Sequence, residues 1–458
     1  MRAIINTTLD RQSQRQANGS VAGPYLEQGT EIQIERAEYR NGNTLWYILP
    51  NQVQVISHCA EIELYSDLSE KDQDQLFICY RQLDHEGHPV VEIEDVPDTL
   101  FFANFNARPL RPNFLSPQIF TNIVMQSLER LNDDSRKHVF IYVHGFDWEP
   151  GLKIDLHSQF LQSYFNHPEN SIAKVLYFSW PSFGWRKNID DRSVDAGQKF
   201  TENGLFEYFR LLSETLHAEG KTLNLIVHSF GHQLLNGMVT PANTQNIPDE
   251  IFDHIFLMAS DITYLAFQKN GVRLRNSNGK NFEYNFGPLK RLSDHIHVYY
   301  NPLDYLLYIS TKGYNGNKKI ANFDPKPDSQ GITADYRTLG NYGSGIFDEP
   351  ESGLNIEEGI EFYNIQELLT EGDPGDPQYY PFLNVTDERG IMTIENARKT
   401  PDSDYSGFKL LRTFWRKELF MTHHQYLFTC KPVVDHVLGI LNQENVDEPQ
   451  TDTDGLVV

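Results

Sequence analysis

Residues 223–238 read LNLIVHSFGHQLLNGM: an apolar strand, a sharp turn and a helix-like run, with Ser229 at the turn. A serine so placed is forced into a strained backbone conformation that points its hydroxyl outward. The first N–H groups of the following helix then face any negative charge that develops beside it. The chemistry this allows is nucleophilic attack on an acyl carbon. Small neighbours let strand and helix approach closely. Gly231 meets that need, whereas Val227 stands where a glycine is usual.

An earlier strand, VFIYV, ends in His144-Gly145-Phe146. The loop after such a strand supplies a second oxyanion donor. Phe146 N–H is the candidate there, and Phe230 N–H, just after the serine, is the first donor. A nucleophilic serine also needs a base and an orienting acid. Two carboxylates end later strands: Asp261 after FLMAS, and Asp304 in Asn301-Pro302-Leu303-Asp304. Chain order of serine, acid, histidine favours Asp304 and leaves Asp261 as the alternate, otherwise a strand-end or capping residue. The base lies further on, at His424 in MTHHQYLF, with His423 as the alternate. Ser182, in Trp180-Pro181-Ser182-Phe183-Gly184, repeats the Ser-Phe-Gly pattern but follows proline and precedes the polar run WRKNIDD, so it reads as part of a loop at the site's rim. His85-Glu86-Gly87-His88 has the wrong spacing for a zinc helix, and its glycine and the following proline indicate a turn.

Positioning these groups needs a particular scaffold. From about residue 97 onward, apolar runs (TLFFANF, HVFIYVHG, KVLYFSW, LNLIVHS, HIFLMAS, HIHVYYN) alternate with amphipathic segments. Runs of that kind suit strands buried on both faces. Ser116-Pro117 marks one helix start. Leu205, Phe209, Leu212 and Leu216 share one face of another, which stops at Gly220. The expected fold class is α/β, a doubly wound, mostly parallel sheet with the site beyond the carboxyl ends of its strands.

The chain has 458 residues, enough for more than one domain. A small β-rich domain is expected over 1–65, a connecting segment over 66–96, the α/β domain over 97–441 with a cap-like insertion at about 312–410, and a disordered acidic tail over 442–458. The 1–65 region resembles bacterial SH3-like modules in its order of Gly29-Thr30, strand, Asn-Gly turn and Trp46-Tyr47. That resemblance implies docking to a protein or cell surface; the alternative is a β-extension packed on the main domain. Residues 348–404 hold 15 Asp or Glu against 3 Lys or Arg, half of the chain's net charge of −24. Such a charge disfavours nucleic acid as a partner. No apolar run reaches the ~20 residues of a transmembrane helix. The start, MRAIINTTLDRQSQRQ, has no apolar core of signal type, so a cytoplasmic protein is expected, with signal-less export left open. Three cysteines without CxxC spacing argue against a zinc cluster or a disulfide framework.

HGF, SWPSFG, DRSVDA, VHSFG and NPLD, in this order, resemble a family of uncharacterised bacterial α/β-hydrolases that are esterase- or lipase-like. His144-Gly145, Ser179–Ser182, Asp191-Arg192 and His228–Gly231 match its motifs. The family's closing histidine, followed two residues later by an aromatic, aligns His424 with Tyr426. YRTLGNYG, at 336–343, is similar to a further family segment. The resemblance implies the fold and a serine-hydrolase site, on which Ser229, Asp304 and His424 are the expected triad, but it specifies no substrate; the mechanism itself suits an ester, thioester or amide of a small-molecule or lipid acyl group and needs no cofactor and no metal. A lipase- or phospholipase-type toxin, or a non-catalytic binding protein on the same fold, are the rival expectations.

Overall fold

The computed structural model describes residues 2–5, 8–9, 14–16, 24–33, 36–40, 44–49, 51, 53–56, 60–62, 76–79, 101–104, 113–145, 164, 167, 169–180, 182, 189–239, 247–268, 271–275, 281–304, 306–307, 310, 319–322, 338–343, 359–369, 424 and 426–443. Phe146, His423 and the 85–88 turn lie outside them, as does all of the expected tail beyond Gln443.

Seven short strands open the chain: β1 (Arg2–Ile5), β2 (Gln14–Gln16), β3 (Glu31–Gln33), β4 (Arg36–Arg40), β5 (Thr44–Ile48), β6 (Val53–Ile56) and β7 (Ala60–Ile62). They pair antiparallel in two sheets, ordered β3-β1-β7 and β2-β6-β5-β4.

The main sheet holds β8 (Leu76–Cys79), β9 (Phe101–Asn104), β10 (Asn113–Leu115), β11 (His138–Val143), β12 (Ile172–Ser179), β13 (Thr222–His228), β14 (His254–Met258), β17 (His295–Tyr300) and β19 (Ile360–Asn364). Its order is β10-β9-β8-β12-β11-β13-β14-β17-β19. Every neighbouring pair from β8 to β19 is parallel. The central strands β11, β12 and β14 are buried at every residue, which is why their sequences are mostly apolar. A smaller antiparallel sheet joins β15 (Val272–Arg275), β16 (Asn281–Tyr284) and β18 (Lys319–Asn322).

Helices α1 (Pro117–Leu131), α2 (Ile189–Glu202), α3 (Leu205–Ala218), α4 (Gly231–Met238) and α5 (Lys431–Gln443) flank the sheet. Ser116 caps α1 by accepting from Ile119 N–H. In α3, Leu205, Phe209, Leu212 and Leu216 are all buried. This is the doubly wound α/β fold that strand–helix alternation requires.

Three details differ from the sequence expectation. Leu76–Cys79, within the supposed connecting segment, is a parallel strand of the main sheet beside β12. Phe101–Asn104 pairs antiparallel on both sides, so it is not one of the parallel strands. Ile360–Asn364, within the acidic insertion, is the sheet's edge strand beside β17. Edge strands are short and carry charge on one face, so their apolar signal is weak.

The chain runs from β11 outward to β12, then crosses back so that β13 lies on the other side of β11. The connections onward from β11 and β13 therefore lead to opposite sides of the sheet. In sheets of this kind ligands bind at that point.

Candidate active site

Ser229 follows β13 directly, at φ 52, a left-handed conformation rare for a residue with a side chain. Its N–H donates to Met258 O at 3.0 Å. Its carbonyl accepts from the N–H groups of His232 and Asp261, both at 3.2 Å, and from His232 Nδ1–H at 2.7 Å. Burial pushes the His232 imidazole down to about 3, so it stays neutral. With Nδ1 protonated, its Nε2 accepts from the Ser260 hydroxyl at 2.8 Å. His232 thus acts on the backbone of the serine turn.

The loop leaving β11 lies against Ser229. A Cβ on Gly145 would fall 2.8 Å from Ser229 Cβ and 3.3 Å from its Oγ. A Cβ on Gly231 would fall 2.8 Å from His144 O. Both positions therefore demand glycine for close approach. Val227, by contrast, is fully buried in the strand.

His424 lies with its ring between Ser229 and Asp304. A carboxylate can only accept, so His424 Nδ1–H donates to Asp304 Oδ2, at 2.8 Å. With Nδ1 so engaged, Nε2 is the atom that faces Ser229 Oγ, at 2.9 Å. Asp304 is fully buried and His424 is 2% exposed. Asp304 Oδ1 accepts from Leu307 N–H at 3.1 Å, which fixes the carboxylate plane. Asp261 is engaged elsewhere: its Oδ1 accepts from the Ser310 hydroxyl at 2.7 Å, and its carbonyl accepts from Gln233 Nε2–H at 2.7 Å.

Residues that the motifs contain, but whose contacts the sequence did not reveal, hold this group in place. His228 Nε2 meets His424 O at 3.1 Å. The Tyr426 hydroxyl accepts from Ala259 N–H at 2.6 Å and donates to Tyr299 O at 2.8 Å. Trp180 stacks on both His144 and Phe230, and its Nε1–H donates to His144 O at 2.9 Å. The Ser-Trp-Pro-Ser loop therefore backs the site through its tryptophan, while Ser182 is fully buried. His436, a further histidine after Asp304, is bonded to the Tyr299 hydroxyl at 2.7 Å. A signal for His228 and His232 was present in the sequence, since both flank the serine by three residues or fewer.

Phe230 opens α4, so its N–H lies at the positive end of that helix. Among the described residues, no cluster of three or more His, Cys, Asp or Glu side chains could hold a metal ion. No described helix is long and apolar enough to cross a membrane.

An outward serine after a central parallel strand, bonded to a histidine and through it to a buried carboxylate, can activate a hydroxyl for attack. Residues 122–335 match the family described as alpha/beta hydrolase of unknown function (DUF900). No curated protein and no solved structure matches the chain. A fold of this class supports a hydrolase, and over residues 122–335 the chain is similar to these alpha/beta hydrolases of unknown function.

Proposed function

We propose that the protein is a serine hydrolase that cleaves an acyl ester, thioester or amide through a covalent acyl-enzyme. The observation that carries this reading is the bonded series Ser229–His424–Asp304, at 2.9 and 2.8 Å, with the serine at positive φ. Ser229 Oγ attacks the acyl carbon while His424 Nε2 takes its proton. The same proton then passes to the leaving group. Water, deprotonated by His424, releases the acid and restores the serine. Asp304 keeps Nδ1 protonated throughout and stabilises the ring when it is charged. Phe230 N–H, with Phe146 N–H as its partner, holds the oxyanion. A donor of that kind contributes roughly 2.7–4 kcal/mol to lowering the barrier. His423 and Asp261 are the alternates for base and acid. The substrate class that suits these parts is a small-molecule or lipid acyl group.

A fluorescent fluorophosphonate, which reacts only with an activated serine, tests the reading. Wild type should label with one probe per chain. Ser229→Ala should abolish labelling, and His424→Ala should reduce it by roughly 10³-fold or more, as loss of a triad member does. Ser182→Ala should label like wild type. A folded wild type that resists the probe, or Ser229→Ala that still takes it, would overturn the proposal in favour of a binding protein or a different nucleophile.

A further inference from the structure

Asp304 owes its position to the four-residue turn Asn301–Asp304 that leaves β17, and that turn presents three carbonyl oxygens to one side chain. Asn341 Nδ2 lies 3.1 Å from Asn301 O, 3.0 Å from Pro302 O and 3.3 Å from Asp304 O. The amide carries two hydrogens, so it is the donor these oxygens share. Asn341 is itself only 7% exposed, and Asn301 and Asp304 are fully buried.

Asn341 cannot simply follow the turn if the turn moves. The two residues before it are locked to the neighbouring strand end: Leu339 N–H donates to Ile262 O at 2.7 Å, and Gly340 N–H donates to Ser260 O at 2.9 Å, while Asn341 N–H donates to Thr338 O at 3.1 Å. On the other side Asn301 N–H donates to Gly340 O at 2.9 Å. Residues 338–342 therefore form a strut between the chain leaving β14 and the chain leaving β17. At its β14 end sits Ser260, whose hydroxyl meets His232, which in turn holds the Ser229 carbonyl. One strut thus references the acid's turn to the nucleophile's turn.

We infer that Asn341 is a positioning residue for the Asp304 carboxylate: its amide clamps the turn that bears the acid and so sets the geometry in which His424 works. This rests on the proposed serine-hydrolase reading. Asn341 touches neither the reacting serine nor the base. Its amide bonds only the turn that bears Asp304, and that makes the inference separable from a general structural role.

The test is the second-order rate constant of fluorophosphonate labelling of the full chain from pH 5 to 9. Wild type, Asn341→Ala, Asn341→Ser, Asp304→Asn and the double variant Asn341→Ala/Asp304→Asn are compared, with unfolding midpoints measured in parallel. A misplaced catalytic group typically costs on the order of 10²-fold. Asn341→Ala should slow labelling by roughly 10–100-fold. A nearby carboxylate favours the charged imidazole, so the acid limb of its rate profile should move to lower pH. In the Asp304→Asn background the same substitution should change the rate less than about twofold, because residues acting as one unit are not additive. Asn341→Ser keeps one short donor and should fall between wild type and Asn341→Ala; if the alanine variant does not fold, the serine variant is read in the same way.

An acid limb that stays in place, or a loss that multiplies fully with Asp304→Asn, would overturn the inference and leave Asn341 as a structural residue only. The two readings fail differently. If wild type does not label, or labels without Ser229, the hydrolase proposal falls and this inference with it. If wild type labels on Ser229 and both Asn341 variants match it in rate and profile, only the inference falls.

Discussion

Ser229 is held at a φ that costs a non-glycine residue about 1–3 kcal/mol, and the surrounding bonds must sustain it. Its carbonyl accepts from three donors, one of them the neutral His232 ring, and its N–H is paired with β14. A turn so over-determined keeps Oγ on the line to His424 without any substrate present. The space in front of it is kept by Gly145. An added methyl there would sit 2.8 Å from Ser229 Cβ and 3.2 Å from His228 O. Neither neighbour is the free end of a flexible chain, so the serine turn or the β11 loop must shift. Overpacking of this kind costs about 1–3 kcal/mol. Gly145→Ala should therefore lower the unfolding midpoint modestly and slow fluorophosphonate labelling by roughly 10–100-fold, since the displaced atom is the nucleophile. A variant that loses stability but labels at the wild-type rate would mean that the β11 loop yields and the serine does not.

Elements bring these residues together only because their ends are tied. Tyr426 is the clearest tie: its hydroxyl joins Ala259, at the end of β14, to Tyr299, near the end of β17, across sequence separations of 167 and 127 residues. Ala259 is at φ 48, a second strained position. Burial, and then the nearby Asp304 charge, hold the Tyr426 phenol well above its ordinary range, so it remains a neutral donor. Tyr426→Phe would leave Ala259 N–H buried and unpaired, at a cost of about 1–3 kcal/mol. The segment bearing His424 would lose one of its ties as well, His228 Nε2 to His424 O remaining. Urea unfolding should show the stability loss, and labelling should slow in the same variant; unchanged values for both would show the tie to be dispensable. The contrast with the serine turn explains what the sequence could reveal. Ser229, Phe230 and Gly231 form a local pattern, and the buried strands β11, β12, β13 and β14 announce themselves by apolar runs. Asp304 and His424 could be ordered along the chain once that pattern was seen. The roles of Tyr426 and Asn341 could not, because their partners are distant in sequence and are mostly backbone atoms. Leu76–Cys79 and Ile360–Asn364 went unread as sheet strands for another reason: each is short and lies in a polar or acidic stretch.

At the scale of the whole molecule, three buried histidines among the described residues link stability to pH. Burial lowers His232 to about 3. Burial, helped by the neighbouring His254, lowers His138 to about 4 and also lowers His297. Each is 3% exposed or less. An unfolded chain binds protons at these sites near pH 6.5, whereas the folded chain does so only at lower pH. The stability they confer is therefore complete above about pH 6.5 and is lost as pH falls toward 4. With three sites the slope approaches roughly 4 kcal/mol per pH unit near pH 5. His217 works in the opposite sense, since its hydrogen bond to Asp253 raises it, so its contribution is present below pH 6.5 and fades as pH rises. It is one group, with a side chain 46% exposed, and solvent screening keeps its effect small. The denaturation midpoint, followed by fluorescence of the buried Trp180 and the other tryptophans, should thus be steady above pH 7 and fall steeply between pH 6 and 5. His138→Asn, which keeps a polar group beside the Thr222 hydroxyl, should flatten that fall by about a third. A midpoint that stays level down to pH 5 would mean that these rings accept protons in the folded state, which would require water to reach His138 in β11, His297 in β17 and His232 in α4.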